Sequence, residues 1–131
     1  MIKNMKKLFV IPVLIVLAIA AVLFFMHRVI FTGDIVKDTD QFTLSFQLMN
    51  KKDSHIMTLH EGDALSVDYA IDRGHADLFI GMEGEEEIYR GNDIGSGRFA
   101  VTVPKDGDYK ITIDAKQASG YIGIYVQPQG K

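Results

Sequence analysis

The sequence predicts an all-β fold: an antiparallel β-sandwich of jelly-roll type with about eight strands, preceded by one N-terminal transmembrane helix. Three observations carry that expectation. Apolar and polar residues alternate through most of the chain after residue 40. Turn-forming residues punctuate those runs at near-regular spacing. One uncharged apolar block, Leu8–Met26, holds the hydrophobic excess behind a mean hydropathy of +0.09. At 131 residues the chain is one folded domain with a small appendage, which excludes a multidomain enzyme.

The apolar block reads LFVIPVLIVLAIAAVLFFM, 19 residues without a charge. As a helix it spans about 28 Å, close to the ~30 Å of a bilayer's hydrocarbon core. In lipid only a helix satisfies such a segment's own backbone. Val29, Ile30 and Phe31 extend it past His27 and Arg28. The expected division is therefore a basic cytoplasmic N-terminus over 1–7 and a membrane span over 8–31. Pro12 is expected near the first turn, where its missing N–H costs least. Ala18-Ile19-Ala20 has the small-x-small form of a signal-peptidase site, and cleavage there would give a secreted protein. The block is longer than a signal peptide's apolar region, and cleavage after Ala20 would leave AVLFFM exposed, so an uncleaved signal-anchor is preferred. A buried helix of a soluble protein fits less well, because the block is apolar on all sides. Lys3, Lys6 and Lys7 precede the block, whereas Arg28 and Lys37 follow it. That bias puts the N-terminus in the cytoplasm and the C-terminal domain outside the cell membrane. His27 reads as an interfacial side chain.

Residues 32–40 read as a polar linker, and 41–131 as the extracytoplasmic domain. Phe42, Leu44, Phe46 and Leu48 share one face of the first strand. Leu65, Val67, Tyr69 and Ile71 share a face of the next clear one, and Leu78, Ile80 and Met82 of the one after. Phe99, Val101 and Val103 follow, then Tyr109, Ile111, Ile113 and Ala115, then Ile122, Ile124 and Val126. A period of two with one apolar face is the pattern of half-buried strands. Weaker strands are expected near His55–Leu59 and Glu86–Tyr89. The intervening segments hold turn formers: Glu61-Gly62-Asp63, Asp72-Arg73-Gly74, Gly91-Asn92-Asp93, Pro104–Gly107 and Ala118-Ser119-Gly120. No helical period alternates with the strands, so a parallel α/β sheet is excluded.

The run Leu59-x-Glu61-Gly62-Asp63-x-Leu65-x-Val67-x-Tyr69 is followed by Gly97-x-Phe99-x-Val101-x-Val103-Pro104-x-Asp106-Gly107-Asp108-Tyr109-x-Ile111-x-Ile113-x-Ala115. Together they resemble small extracytoplasmic jelly-roll modules of the pre-peptidase C-terminal and GOLD-like kind. More closely, the chain resembles small membrane-anchored proteins of Gram-positive bacteria that carry such an ectodomain. The resemblance covers about Leu59–Val126 and implies a non-catalytic module that binds or presents. It transfers no binding residue.

Cysteine is absent, which excludes disulfides, thiolate metal sites and a cysteine nucleophile. The first 31 residues carry +4 and the remaining 100 carry −7. An acidic body argues against nucleic acid as a partner. It equally argues against an anionic lipid surface bound through the folded part. His55 and His60 face opposite ways if they share a strand, and His75 with Asp77 lacks further ligands, so solvated turn histidines are the favoured reading. Ser45, Ser54, Ser66, Ser96 and Ser119 lie outside any nucleophile elbow. The glycine-rich stretch 91–97 leads into a strand rather than a helix, so it reads as a hairpin loop and not a phosphate cradle. Glu83–Glu87 and Asp106–Asp108 offer oxygens of the kind calcium uses but lack the EF-hand order; a solvated acidic edge is preferred. No catalytic residue, metal ligand or cofactor is expected, calcium being the one candidate weighed. Tyr121 and Tyr125 share a face on either side of Gly123 and form the one weak candidate ligand surface. A covered second face of a central strand is the simpler explanation.

The function these residues favour is a single-pass, membrane-anchored, extracytoplasmic β-sandwich that binds or presents without catalysis. Its partners would be the lipid bilayer, through the helix, and an extracytoplasmic protein or polymer. The alternative is a small accessory subunit that acts through its transmembrane helix in a larger membrane complex. A hydrolase with a spatially assembled site comes last.

Overall fold

The computed structural model describes the backbone of residues 2–28 and 30–127, and the side chains of 10–24 and 30–127. It divides into two units, Met1–Ile30 and Phe31–Lys131. The first is helix α1, Ile2–Arg28. Neither glycine nor an acidic group interrupts it, and its N-terminal lysines and methionines are good helix formers. The helix thus starts earlier and ends earlier than the 8–31 span expected. Pro12 consequently lies well inside it and not near its first turn. All described side chains from Val10 to Phe24 are exposed. Among the described residues, no helix is long and apolar enough to cross a membrane. The side chains of Lys3, Lys6, Lys7, His27 and Arg28 lie outside the described residues.

The second unit consists of β1 (Phe31–Lys37), β2 (Gln41–Met49), β3 (Lys52–Leu59), β4 (Ala64–Gly81), β5 (Tyr89–Gly91), β6 (Ser96–Thr102) and β7 (Gly107–Gln127). All pairings are antiparallel, in the order β1-β2-β7-β4-β5, with β3 also on β7 and β6 also on β4. The two long strands organise everything else. β4 and β7 pair from Ala64↔Gln127 to Gly81↔Lys110, with register shifts between Ile71 and His75. On one side of those shifts, β2 lies on β7 and β6 on β4; on the other, β3 lies on β7 and β5 on β4. Each long strand therefore belongs to two half-sheets.

The half-sheets face each other, because their inner side chains form one cluster. Phe42, Leu44, Leu65, Val67, Ile122 and Ile124 come from one half; Met57, Leu59, Leu78, Ile80, Ile111 and Ile113 come from the other. All twelve are sealed from water. A sheet apolar on one face can hide that face by folding over on itself, and this one does.

Seven strands replace the eight expected. The runs around Leu65 and Leu78 are one strand, as are those around Ile111 and Ile122. Asp72-Arg73-Gly74 and Ala118-Ser119-Gly120 are not turns that end strands but bends inside them. Gly74 (φ +74°) and Gly120 (φ +151°) take conformations that L side chains rarely adopt, so the backbone bends while the ladder resumes on both sides. The linker expectation for 32–40 is also corrected. β1 pairs with β2 from Phe31↔Met49 to Lys37↔Phe42. Its pattern was hidden because only Phe31 and Ile35 are half-buried on an otherwise exposed edge. Among the residues assigned inward, Leu48, Tyr69, Ile71, Met82, Phe99, Val101 and Val126 are half-buried.

Odd and even positions of β7 are expected to respond oppositely to charge. Lys110 is exposed and opposite in phase to buried Ile111. Lys110→Asp should change stability by no more than about 0.5 kcal/mol, as read from thermal melting of residues 31–131. A large loss there would contradict the inward–outward assignment.

A tyrosine-bearing outer face as the candidate site

The outer face of the half-sheet containing β2 carries the two tyrosines singled out from sequence. On β7, Tyr121 and Tyr125 point away from Ile122 and Ile124, which are fully buried. The rings lean towards each other over Gly123, and their hydroxyls share a hydrogen bond. A Cβ at Gly123 would strike the Tyr121 hydroxyl and approach Cε2 of Tyr125 to 2.9 Å. The glycine therefore lets the two rings meet, and they in turn bury it. Both tyrosines are half-buried, between the exposed strip and the covered face that the sequence allowed.

The neighbouring strands supply small polar side chains. Tyr121 sits between Ser45 on β2 and Ala70 on β4, Gly123 between Thr43 and Asp68, and Tyr125 between Gln41 and Ser66. Asp68 is held by Arg98 of β6 at 3.2 Å. Desolvation, the bond to Tyr125 and the nearby Asp68 push the Tyr121 phenol up to about 12. Tyr121 is therefore protonated at neutral pH, and the two rings form an aromatic platform with hydroxyls that donate and accept.

The raised pKa has a consequence at alkaline pH. An unfolded tyrosine ionises near 10, whereas folded Tyr121 holds its proton to about 12. Its stabilising contribution is fully present below pH ~10 and is lost as pH rises through the folded value. Tyr125→Phe removes one cause and leaves the desolvation, so it should lower the Tyr121 pKa part of the way. Ultraviolet absorbance of the phenolate across an alkaline titration reads this directly. An unchanged titration would show that the bond contributes nothing.

The other candidates stay apart. His55 on β3 bonds through Nε2 to the backbone carbonyl of Asp38 at 2.7 Å. His60 lies in the following turn, 3.9 Å from Asp106. His75 is beside the β4 bend, 2.8 Å from Asp93. His75 and Asp77 do converge, since Asp77 accepts the Asp93 backbone N–H at 2.7 Å, but the third member is one exposed carboxylate. Among the described residues, no group of three or more His, Cys, Asp and Glu side chains could hold a metal ion. The histidine partners are a carbonyl and carboxylates, not the serines. Glu85 pairs with Lys105, Glu87 with Arg90, and Asp108 accepts from the Thr58 hydroxyl. Asp106 caps the Glu61 N–H. The glycine-rich stretch joins β5 to β6, but these two do not pair with each other; it crosses between half-sheets rather than closing a hairpin.

Sequence reasoning missed the surroundings of the tyrosines. The period of two puts Thr43, Ser45, Ser66 and Asp68 on the polar faces of their strands, yet only the strand order β2-β7-β4 makes them neighbours of Tyr121 and Tyr125.

No family model and no curated protein matches the chain. Solved structures similar to it include three chains of PliG, a periplasmic lysozyme inhibitor of g-type lysozyme. The Aeromonas hydrophila chain is 15% identical with a TM-score of 0.46, covering 72% of this chain and 88% of that one. The Salmonella Typhimurium chain is 18% identical with a TM-score of 0.44, covering 70% and 95%. An Escherichia coli mutant is 16% identical with a TM-score of 0.41, covering 72% and 94%.

Proposed function

We propose that this chain is a non-enzymatic binding module, held at the outer surface of a cell membrane by an uncleaved N-terminal helix. Its partner is an extracytoplasmic protein or polymer that docks on the Tyr121–Tyr125 face. The observation that carries the binding reading is the paired tyrosines over Gly123, half-exposed on an outer face whose inner side completes the core. Aromatic rings with a hydroxyl handle contribute large contact area at low entropic cost. A face built from ordered strands holds those rings without rearrangement on binding. The anchor reading rests on the uncharged run Leu8–Met26 and the three lysines before it. Its resemblance to membrane-anchored jelly-roll modules of Gram-positive bacteria points the same way.

A photo-crosslinking residue at position 125, in cells, tests the docking face. The control places the same residue at 112, on the outer face of the opposite half-sheet. A discrete adduct from 125 and none from 112 is expected. Identical adducts from both positions would remove the tyrosine face as the docking site.

A further inference from the structure

Among the described residues, four strands keep a free edge: β1, β3, β5 and β6. Three of them are defended in ways that keep a sheet from extending. β1 has a register shift between Thr32 and Gly33 and carries Asp34 and Lys37. β3 opens on Lys52 and Asp53, and its His55 is bonded to Asp38 in the turn between β1 and β2. β5 is three residues long. β6 has none of these features. Its seven residues, Ser96–Thr102, pair with β4 without a register shift and contain no proline. Their one charge, Arg98, is turned back onto Asp68 of its own sheet. The Ile71 N–H donates to the Gly95 carbonyl, and the Val103 N–H to the Asp63 carbonyl. In that phase Gly97, Phe99 and Val101 bond to β4, so the N–H and C=O groups of Ser96, Arg98, Ala100 and Thr102 point to the free edge. Phe99 and Val101 face the core yet are only half-buried at this flank. The Phe99 ring lies 6.0 Å from that of Tyr69 and 4.3 Å from that of Tyr89.

We propose that β6 pairs antiparallel with β6 of a second copy of this chain, about a two-fold axis through Phe99. The edge itself selects that register. Its free backbone groups belong to even-numbered residues, so even positions must face even ones. An axis through Arg98 would set two guanidiniums opposite each other. One through Ala100 would set Ser96 against Pro104, which has no N–H to give. The axis through Phe99 uses the whole strand. Ser96 faces Thr102 of the second copy and Arg98 faces its Ala100, in pairs that exchange about eight backbone hydrogen bonds. Each Arg98 keeps its own Asp68. On the inner side, Phe99 meets Phe99 of the second copy across a non-hydrogen-bonded pair, where Cα atoms approach to about 4.5 Å and side chains are closest. The pairing thus covers half-exposed apolar surface as well as backbone. A two-fold axis of this kind is perpendicular to the sheet, so the outer faces of both copies lie on one side. The order β1-β2-β7-β4-β6 continues in reverse through the second copy, and the two β7 strands are about five strand spacings, ~24 Å, apart. Combined with the docking face proposed above, on which this last step alone rests, the dimer presents two Tyr121–Tyr125 pairs to one polymer or clustered partner and gains from avidity.

The test uses the full chain in detergent micelles. The chain has no cysteine, so Ser96→Cys and Thr102→Cys chains, both changed at exposed positions, are oxidised with copper phenanthroline singly and as a mixture. In the proposed register residue 96 lies opposite residue 102, within the roughly 4.4–6.8 Å between Cα atoms that a disulfide spans. The two copies of residue 96 are roughly 20 Å apart, as are those of residue 102. A disulfide-linked dimer is expected from the mixture at several-fold the yield of either chain alone. Ala100→Pro, added to both chains, removes an N–H that β4 does not use, so the circular dichroism should be unchanged and the link lost. Ala100→Lys sets a cation opposite Arg98 and should lower the yield several-fold, which keeps the pairing testable should the proline disturb β6. No link in the mixture, or equal yields from the mixture and the single chains, would overturn the pairing. So would a link from Thr102→Cys in cells to a protein of different mass and none to Ser96→Cys, which would assign the edge to another partner. The docking face is read separately from the adduct at position 125, so either proposal can fail without the other.

Discussion

Ile111→Asp should leave the β domain unfolded. Ile111 is fully buried in the middle of β7, paired with His55 on one side and Ile80 on the other, and packed in the single apolar cluster. The change removes roughly 2–3 kcal/mol of burial. It also places a carboxylate where neither a base nor water can reach it, at a cost of several kcal/mol more. A domain of this size holds only about 5–15 kcal/mol in total. Ile113→Asp should do the same. Circular dichroism and thermal melting of residues 31–131 would show loss of the cooperative transition in both. A fragment starting at Asp34, inside the segment read as a linker, would cut into β1; starting at Phe31 keeps all seven strands.

The second large effect is expected at the bend. Gly74→Val puts a branched side chain at φ +74°, where its Cβ would run into the backbone of Lys116 and Gln117. Backbone strain costs about 1–3 kcal/mol, and the collision with main chain adds to it because a carbonyl cannot rotate away. The melting temperature should fall by more than about 10 °C, given 4–8 °C per kcal/mol for a domain of this size. Gly84 provides the comparison. It has φ +78° but nothing within 4 Å of a Cβ, so Gly84→Val meets the strain without the collision. If the two variants melt alike, the tight crossing of β4 and β7 is not what the fold depends on.

These two effects mark what the sequence made legible and what it did not. The alternation of Ile111 and Ile113 with Lys110 and Thr112 reports directly on burial, because side-chain period and sheet face are the same quantity. Burial was therefore readable strand by strand. Continuity was not. Asp72-Arg73-Gly74 has the composition of a turn whether the chain reverses there or merely bends, and only the pairing His75↔Lys116 beyond it separates the two cases. β1 was missed because an edge strand with two half-buried residues carries almost no period. The tyrosines were found because their spacing about Gly123 is local. Their neighbours on β2 and β4 depend on strand order, which composition averages away.

The claim on which the function rests is an uncleaved helix with the β domain outside. Protease added to intact spheroplasts, followed by mass measurement of what remains in the membrane, tests it directly. The expected result is digestion of the domain and survival of an N-terminal fragment that begins at the first residues of the chain and retains Lys3, Lys6 and Lys7. A mature protein beginning at Ala21, or a domain that the protease reaches only after lysis, would contradict it.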